Sequence, residues 1–83
     1  MMGRENDSKH QEWLLKIGAQ VRKLRKTETN LNYIDFANII GIDKKTYYKI
    51  ERAEGEYNIT TLMKIISYYP KMTLSKFFRL AGL

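Results

Sequence analysis

The chain has 83 residues, in which 15 lysine and arginine residues outnumber 9 aspartate and glutamate residues and give a formal net charge of +6. This length suits one small domain and leaves too little chain for a deep enzyme cleft with its scaffold. The absence of cysteine and the presence of a single histidine, His10, exclude a disulfide framework, a thiolate zinc site and a histidine–cysteine catalytic pair.

The first eleven residues, MMGRENDSKHQ, are polar and show neither apolar periodicity nor the hydrophobic region of a signal peptide. We therefore predict a flexible N-terminal arm over residues 1–11 and one domain over residues 12–83. No apolar run approaches the ~20 residues that span a bilayer. We expect a cytoplasmic protein that does not cross a membrane.

A first helix is predicted after this arm, because apolar residues recur at helical spacing: Trp13, Leu14, Ile17, Val21 and Leu24. Gly18 interrupts this helix and costs about 1 kcal/mol relative to alanine. The opposite face is basic: Lys16, Arg22, Lys23 and Lys26. Such a face is usually only solvated, but Arg22 and Lys23 are candidate phosphate contacts if a nucleic acid lies beside the helix.

Two short amphipathic helices, separated by a single glycine, follow the polar connection of residues 27–31. Asn32 is a good N-cap for the first of them, which should end at Gly41, because glycine adopts positive φ without steric cost. Asp43 is a second N-cap, and the helix that it begins should run to Arg52.

The third predicted helix has two different faces. Tyr47 and Ile50 form its narrow apolar side, and the other side carries only cations and a phenolic hydroxyl: Lys45, Tyr48, Lys49 and Arg52. The major groove of B-DNA admits a helix, lysine donates to guanine O6 and N7, and Lys, Arg and Tyr donate to phosphates. Tyr47 and Tyr48 differ by ~100° of helix rotation, so we expect Tyr47 in the core and Tyr48 on the DNA side.

Two further helices complete the predicted bundle. Asn58 caps a fourth helix whose apolar residues precede Pro70: Ile59, Leu62, Met63, Ile66 and Tyr69. Thr73 caps a fifth helix, closed by Gly82, with the apolar stripe Leu74, Phe77, Phe78 and Ala81. With Leu80 and Leu83, this C-terminal stripe is more apolar than a small bundle needs. We expect part of it to form a dimer seam or a docking surface for a protein partner.

The central helices have the spacing of a helix-turn-helix. The small residue Ala37 is followed four positions later by Gly41, and the apolar residues Tyr47 and Ile50 lie six and nine positions after that glycine. Over residues 17–78 the sequence resembles the Cro and phage-repressor family of helix-turn-helix regulators, also called the Xre family. The segment Ile50-Glu51-Arg52 resembles that family's ending of the second motif helix. The sequence departs from the family pattern at Ala53, where glycine is usual, at Tyr33, where a glutamine-like residue is common, and in a longer turn before Asn32.

This resemblance implies an all-α, five-helix, lambda-repressor-like bundle that regulates transcription, as a repressor, by binding duplex DNA as a homodimer. Half-sites would lie about one helical turn apart. The residues that would bind DNA are Asn32, Tyr33, Lys44, Lys45, Thr46, Tyr48, Lys49 and Arg52. The resemblance also implies a partly buried ion pair between Arg25 and Glu51.

Two other functions stay open. The same fold could be a protein-interaction module, such as an antitoxin-like or adaptor protein, that uses the C-terminal stripe. Binding of single-stranded nucleic acid through the tyrosines is weaker, because most of them lie at core spacings. Catalysis has no support, because the sequence contains no glycine-rich phosphate loop, metal-ligand cluster or nucleophile with a histidine base, and we expect no cofactor.

Overall fold

The computed structural model describes the backbone of residues 2–55 and 57–83 and the side chains of residues 9–55 and 57–83. This part of the chain forms five α-helices: α1 (Met2–Glu28), α2 (Tyr33–Ile40), α3 (Lys44–Arg52), α4 (Ile59–Ser67) and α5 (Leu74–Leu80). The predicted all-α, five-helix architecture is confirmed. Across the described ranges, no helix has both the length and the hydropathy required to cross a bilayer.

The four shorter helices begin where the sequence predicts. Each is preceded by an N-cap whose side-chain oxygen accepts a backbone N–H of the first turn: Asn32, Asp43, Asn58 and Thr73. Helix α2 ends at Gly41, whose φ of 77° lies in the left-handed region that glycine tolerates best. The next residue, Ile42, donates its N–H to the carbonyl of Ala37 at 2.9 Å and is buried. These local bonds fix the turn between α2 and α3.

Helix α1 starts much earlier than the sequence analysis predicts. It begins at Met2 rather than near residue 12, so the predicted arm is helical from Met2 onwards, and Met1 lies outside the described residues. The nucleus of the helix exists in residues 12–28, and each residue added to an existing helix gains one hydrogen bond without a new nucleation cost. Gln11 also donates from Nε2 to the carbonyl of Ala53 at 3.4 Å, which ties this extension to the end of α3.

The core lies where α1, α2, α3 and α4 meet. Its buried members are Val21, Leu24, Phe36, Ala37, Ile42, Tyr47, Ile50, Leu62, Ile65, Ile66, Tyr69 and Phe77. Phe36 occupies the centre, with ring centroids 5.5 Å from Tyr47, 4.9 Å from Tyr68 and 6.1 Å from Tyr69. The contacts with Tyr47 and Tyr68 are edge-on, and such aromatic pairs add to the stabilisation from buried area.

Several residues that the sequence analysis assigned to the core are at the surface. Trp13 is 52% exposed, Ile59 51% and Met63 50%. Helix α4 instead buries Leu62, Ile65 and Ile66, of which Ile65 was missed. Apolar residues lie on almost every side of α4, so the sequence pattern is compatible with more than one buried face. Contacts with the rest of the bundle determine that the buried face is the one that contains Ile65.

Gly18 has a packing role that its low helix propensity does not indicate. It lies where α1 crosses α3, and a Cβ atom added there would be 2.4 Å from the carbonyl oxygen of Ile50 and 2.9 Å from that of Glu51. Both obstructing atoms belong to the backbone and cannot move aside by rotation of a side chain. Gly18 therefore permits the close approach of α1 to α3.

Candidate nucleic-acid interface

Helix α3 presents a buried face and an exposed face, as its sequence pattern predicts. Tyr47 is fully buried and Ile50 almost so, whereas the adjacent Tyr48 is exposed. Four other outer residues are exposed as well: Lys44, Lys45, Lys49 and Arg52. Thr46 is half-buried. Asp43 holds the first turn, because its Oδ2 accepts the N–H groups of Lys45 at 3.0 Å and Thr46 at 3.3 Å. The first-turn lysines are thus attached to a well-capped helix end.

An ion pair fixes the inner side of α3 to α1. The Arg25 Nε donates to Glu51 Oε2 at 2.8 Å, and its Nη2 donates to Glu51 Oε1 at 3.1 Å. The two side chains are only 10% and 6% exposed. The Arg25 Nη1 also donates to the carbonyl of Leu31 at 2.9 Å, so one guanidinium joins α1, the connection before α2, and α3. Arg25 and Glu51 therefore lie together as the family resemblance implies.

Tyr47 completes this buried polar group. Its hydroxyl donates to Glu51 Oε2 at 2.5 Å. Burial, followed by the hydrogen bond to Glu51, raises the pKa of the Tyr47 phenol, and the bond to the Glu51 carboxylate raises the pKa of Arg25. Both shifts favour the protonated forms, in which Tyr47 and Arg25 can both donate to Glu51.

Aromatic and cationic groups connect the N terminus of α2 with the outer face of α3. The ring centroids of Tyr33 and Tyr48 are 5.0 Å apart, and the guanidinium carbon of Arg52 lies 5.4 Å from the Tyr48 centroid, within the range of a cation–π contact. Asn32 is exposed, but its side-chain oxygen accepts the N–H of Asp35 and serves as a cap. Tyr33 is half-buried beside it.

The two candidate phosphate contacts on α1 have different surroundings. Arg22 lies with Tyr33, Tyr48 and Arg52 around a cavity of about 140 Å³, whose wall also includes Arg25 and Glu51. Lys23 lines an adjoining groove along α1, which Arg22 also lines. The structure therefore brings Arg22, Tyr33, Tyr48 and Arg52 together. Lys44 and Lys45 lie in the first turn of α3, about 10 to 12 Å from Arg52 along the helix axis.

Sequence reasoning missed the aromatic–cation cluster. The four-residue spacing of Tyr48 and Arg52 could have indicated their contact, because such residues are neighbours on a helix. The contact between Tyr33 and Tyr48 depends on the angle between α2 and α3, which no local pattern specifies. The Arg52 Nε also lies 3.6 Å from Glu54 Oε2 in an exposed ion pair.

The arrangement also bears on the alternative of single-stranded nucleic acid binding. Tyr47 and Tyr69 are buried, and Tyr57 is half-buried. Tyr68 packs edge-on against Phe36. A platform for successive bases needs free ring faces. Tyr48 and Tyr68 are exposed, but the Tyr48 ring contacts Tyr33 and Arg52, and the Tyr68 ring contacts Phe36 and Tyr69.

A family model described as Helix-turn-helix, HTH_3, matches residues 21–78, which is more than half of the chain. The chain belongs to this family. The family consists of helix-turn-helix domains of the Cro and C1 type, and it identifies the protein in general terms as a DNA-binding regulator. Comparison of this helix-turn-helix protein with curated proteins and with solved structures finds no significant match.

Proposed function

We propose that this helix-turn-helix protein is a non-enzymatic, cytoplasmic transcriptional repressor that binds duplex DNA as a homodimer and reads the major groove with α3. The observation that carries this proposal is the division of α3 into a buried inner face and an outer face of exposed Lys44, Lys45, Lys49 and Arg52. Occupation of a promoter is enough to exclude other proteins from it, so repression requires no surface beyond the one that binds DNA.

The outer residues of α3 would have different roles. Lys44 and Lys45, in the first turn, and Lys49, one turn later, can donate to guanine O6 and N7. Thr46 can donate to a phosphate or contact a thymine methyl group. Arg52, at the C-terminal end, contacts Tyr48 at the middle of the helix, and both would donate to phosphates.

The phosphate grip would involve residues from two other helices. Backbone N–H groups at the N terminus of α2, after Asn32 and at Tyr33, favour an anion together with the helix dipole. Arg22 shares a cavity with Tyr33 and could donate to the same strand. Lys23 is the second candidate phosphate contact on α1.

Dimerisation is supported by exposed apolar side chains on α5 and on the residues that follow it. Leu80 and Leu83 are exposed, and Leu74 lies at the margin of exposure. In a two-fold dimer these residues would pack against their own copies, and two recognition helices about 34–36 Å apart would fit successive major grooves.

Two matched substitutions test the proposed reading of DNA. Lys45→Ala should cost about 1 to 3 kcal/mol on the preferred site and relax base preference at one position of each half-site, because a base-edge donor is lost. Arg22→Ala should weaken all sequences alike, because Arg22 could reach only the backbone. Affinities for the selected site, its single-base variants and random duplex distinguish these effects. An unchanged preference profile in Lys45→Ala would show that α3 does not read the groove.

A second candidate function is supported by a groove of about 550 Å³ between α1 and the C terminus. It is lined mainly by apolar groups: Trp13, Ile17, Phe78 and Leu83 among them. In an antitoxin-like or adaptor protein, this groove would receive a protein partner. Co-expression with the product of an adjacent reading frame tests this role. A specific complex should survive Lys45→Ala and be lost in Trp13→Ser.

A further inference from the structure

The ring of Tyr48 makes two contacts on the outer face of α3. Its centroid is 5.0 Å from that of Tyr33, at an interplanar angle of 45°, and 5.4 Å from the guanidinium carbon of Arg52. Tyr48 and Arg52 are four residues apart on α3, whereas Tyr33 is the first residue of α2. We call Tyr33 and Tyr48 the tyrosine pair. Through this pair, the position of the Arg52 side chain depends on both helices of the helix-turn-helix.

The Arg52 side chain is held at two places and open at a third. It is 58% exposed, and a long exposed side chain loses much rotamer freedom when it binds a ligand. The face of the guanidinium contacts the Tyr48 ring, and its Nε lies 3.6 Å from Glu54 Oε2. Within the described ranges, no residue accepts a hydrogen bond from its two Nη groups. The Nη edge therefore stays available to a phosphate, which the planar fork of arginine can bind through two N–H groups.

The place of Arg52 on α3 favours a phosphate over a base edge. Arg52 is the last residue of α3, and the base contacts of a helix-turn-helix come from the N-terminal residues of the recognition helix. The backbone of the duplex lies on either side of the groove that such a helix occupies. An arginine at the other end of the helix would therefore fix the register of the protein on the DNA.

The ring of Tyr48, and not its hydroxyl, makes the contact with Arg52. A cation–π contact uses the face of the ring, which phenylalanine has as well. A hydroxyl that donated directly to a phosphate would be lost in phenylalanine. The two possible roles of Tyr48 can therefore be separated by substitutions at this one residue.

We propose that Tyr48 is a positioning residue whose ring, supported by Tyr33, holds the Arg52 guanidinium in the orientation that binds a backbone phosphate of the duplex. This inference rests on the proposed function, and it adds a role for the Tyr48 ring to the hydroxyl contact named there. The tyrosine pair lowers the entropy that Arg52 loses on binding, because the side chain is already restricted in the free protein.

The dependence of DNA affinity on salt tests this role, because it counts charged contacts. Each cation–phosphate contact contributes about 0.9 to the slope of log K against log[salt], whereas a neutral side chain contributes none. Arg52→Gln should therefore make the slope shallower by about 0.9 for each protomer. Tyr48→Leu removes no charge, but it should remove part of the same slope and weaken binding at low salt by about two- to fivefold, because Arg52 is no longer held.

Three further variants sharpen the test. Tyr48→Phe keeps the ring and should keep the slope. Tyr33→Leu removes only the support and should lower the slope less than Tyr48→Leu does. In the double variant with Tyr48→Leu and Arg52→Gln, the slope should equal that of Arg52→Gln alone, because no guanidinium is left to position.

Tyr68→Leu provides a matched control. Tyr68 is also an exposed tyrosine, but it packs against Phe36 and Tyr69, away from Arg52. Its substitution should leave the salt slope unchanged, even where the loss of an aromatic contact lowers the melting temperature. Thermal melts of every variant establish that the affinities are measured on folded protein.

Equal losses of affinity in Tyr48→Phe and Tyr48→Leu would overturn the inference, because the hydroxyl would then be the part of Tyr48 that matters. So would an unchanged slope in Tyr48→Leu or in Arg52→Gln, or a further loss of slope when Tyr48→Leu is added to Arg52→Gln. In each case the proposed function would stand, provided that Lys45→Ala still relaxes base preference. Failure of the unmodified protein to bind any duplex would overturn the proposed function and this inference with it.

Discussion

The contact between α1 and α3 and the contact between α4 and α5 stabilise the molecule in different ways. The first combines a close backbone approach at Gly18 with the buried ion pair of Arg25 and Glu51. The second depends on apolar packing, in which Phe77 is fully buried while Leu80 of the same helix is more than half exposed.

This difference shows which helix contact allows the least displacement. The hydrogen bonds of the ion pair and the close backbone contact at Gly18 are lost after small displacements, so they fix the position of α3 relative to α1. Apolar side chains can repack with smaller losses when their total volume is kept. We therefore expect substitutions at the α1–α3 contact to change both stability and DNA recognition, whereas substitutions in α4 should change stability alone.

The largest expected effect is that of Glu51→Ala. Removal of the carboxylate leaves the Arg25 guanidinium uncompensated in a site where its side chain is 10% exposed, and should lower the free energy of unfolding by about 3 kcal/mol. Chemical denaturation measures this loss. The double substitution with Arg25→Met should recover much of it. Small, equal losses from the two single substitutions would mean that the pair contributes little.

Gly18→Ala should also destabilise the protein, by about 2 kcal/mol, because the new methyl group would collide with two backbone carbonyls of α3. The sign of the effect is decisive, since helix propensity alone predicts a gain of about 1 kcal/mol. The exposed neighbour Ala19 supplies a control: Ala19→Gly should cost only the propensity difference. A stabilised Gly18→Ala protein would contradict the close crossing.

Alkaline pH should destabilise the same contact. The pKa of Tyr47 is raised above its ordinary value of 10.0, so the unfolded chain releases this proton at lower pH than the folded chain does. The contribution of Tyr47 is therefore complete below pH ~10 and declines above it, by up to about 1.4 kcal/mol per pH unit. Tyr47→Phe should flatten the fall of stability between pH 10 and 11.5. An unchanged slope would refute this coupling.

The smallest expected effect is in α4. Ile65→Val removes one methyl group from a fully buried side chain and should cost about 1 kcal/mol in a thermal or denaturant melt. Base preference in a DNA-binding selection should not change, because α4 does not carry the residues proposed to read DNA. A change in preference would mean that the two regions are coupled more tightly than their contacts indicate.

The short helices could be predicted from the sequence because their limits are local. The caps at Asn32 and Asp43 and the glycine at Gly41 determine hydrogen bonds within a few residues, and α2 and α3 begin and end where those residues predict. The opposite burial of Tyr47 and Tyr48 likewise follows from rotation about a single helix axis.

The remaining features depend on partners far along the chain. The role of Gly18 requires the position of α3, and the cluster of Tyr33, Tyr48 and Arg52 requires the angle between two helices. Trp13 lies at a helical core spacing, but its side chain borders the open groove between α1 and the C terminus, which leaves it 52% exposed.

The two-sidedness of α3 has a consequence for re-engineering. Tyr47, Ile50 and Glu51 carry the contacts that hold the helix, so the exposed lysines 44, 45 and 49 can be exchanged for the outer residues of another recognition helix. Surface exchanges of this kind usually alter the free energy of unfolding by no more than about 0.5 kcal/mol each. If α3 reads the major groove as proposed, new operator specificities should be accessible by transplanting three side chains onto an unchanged scaffold.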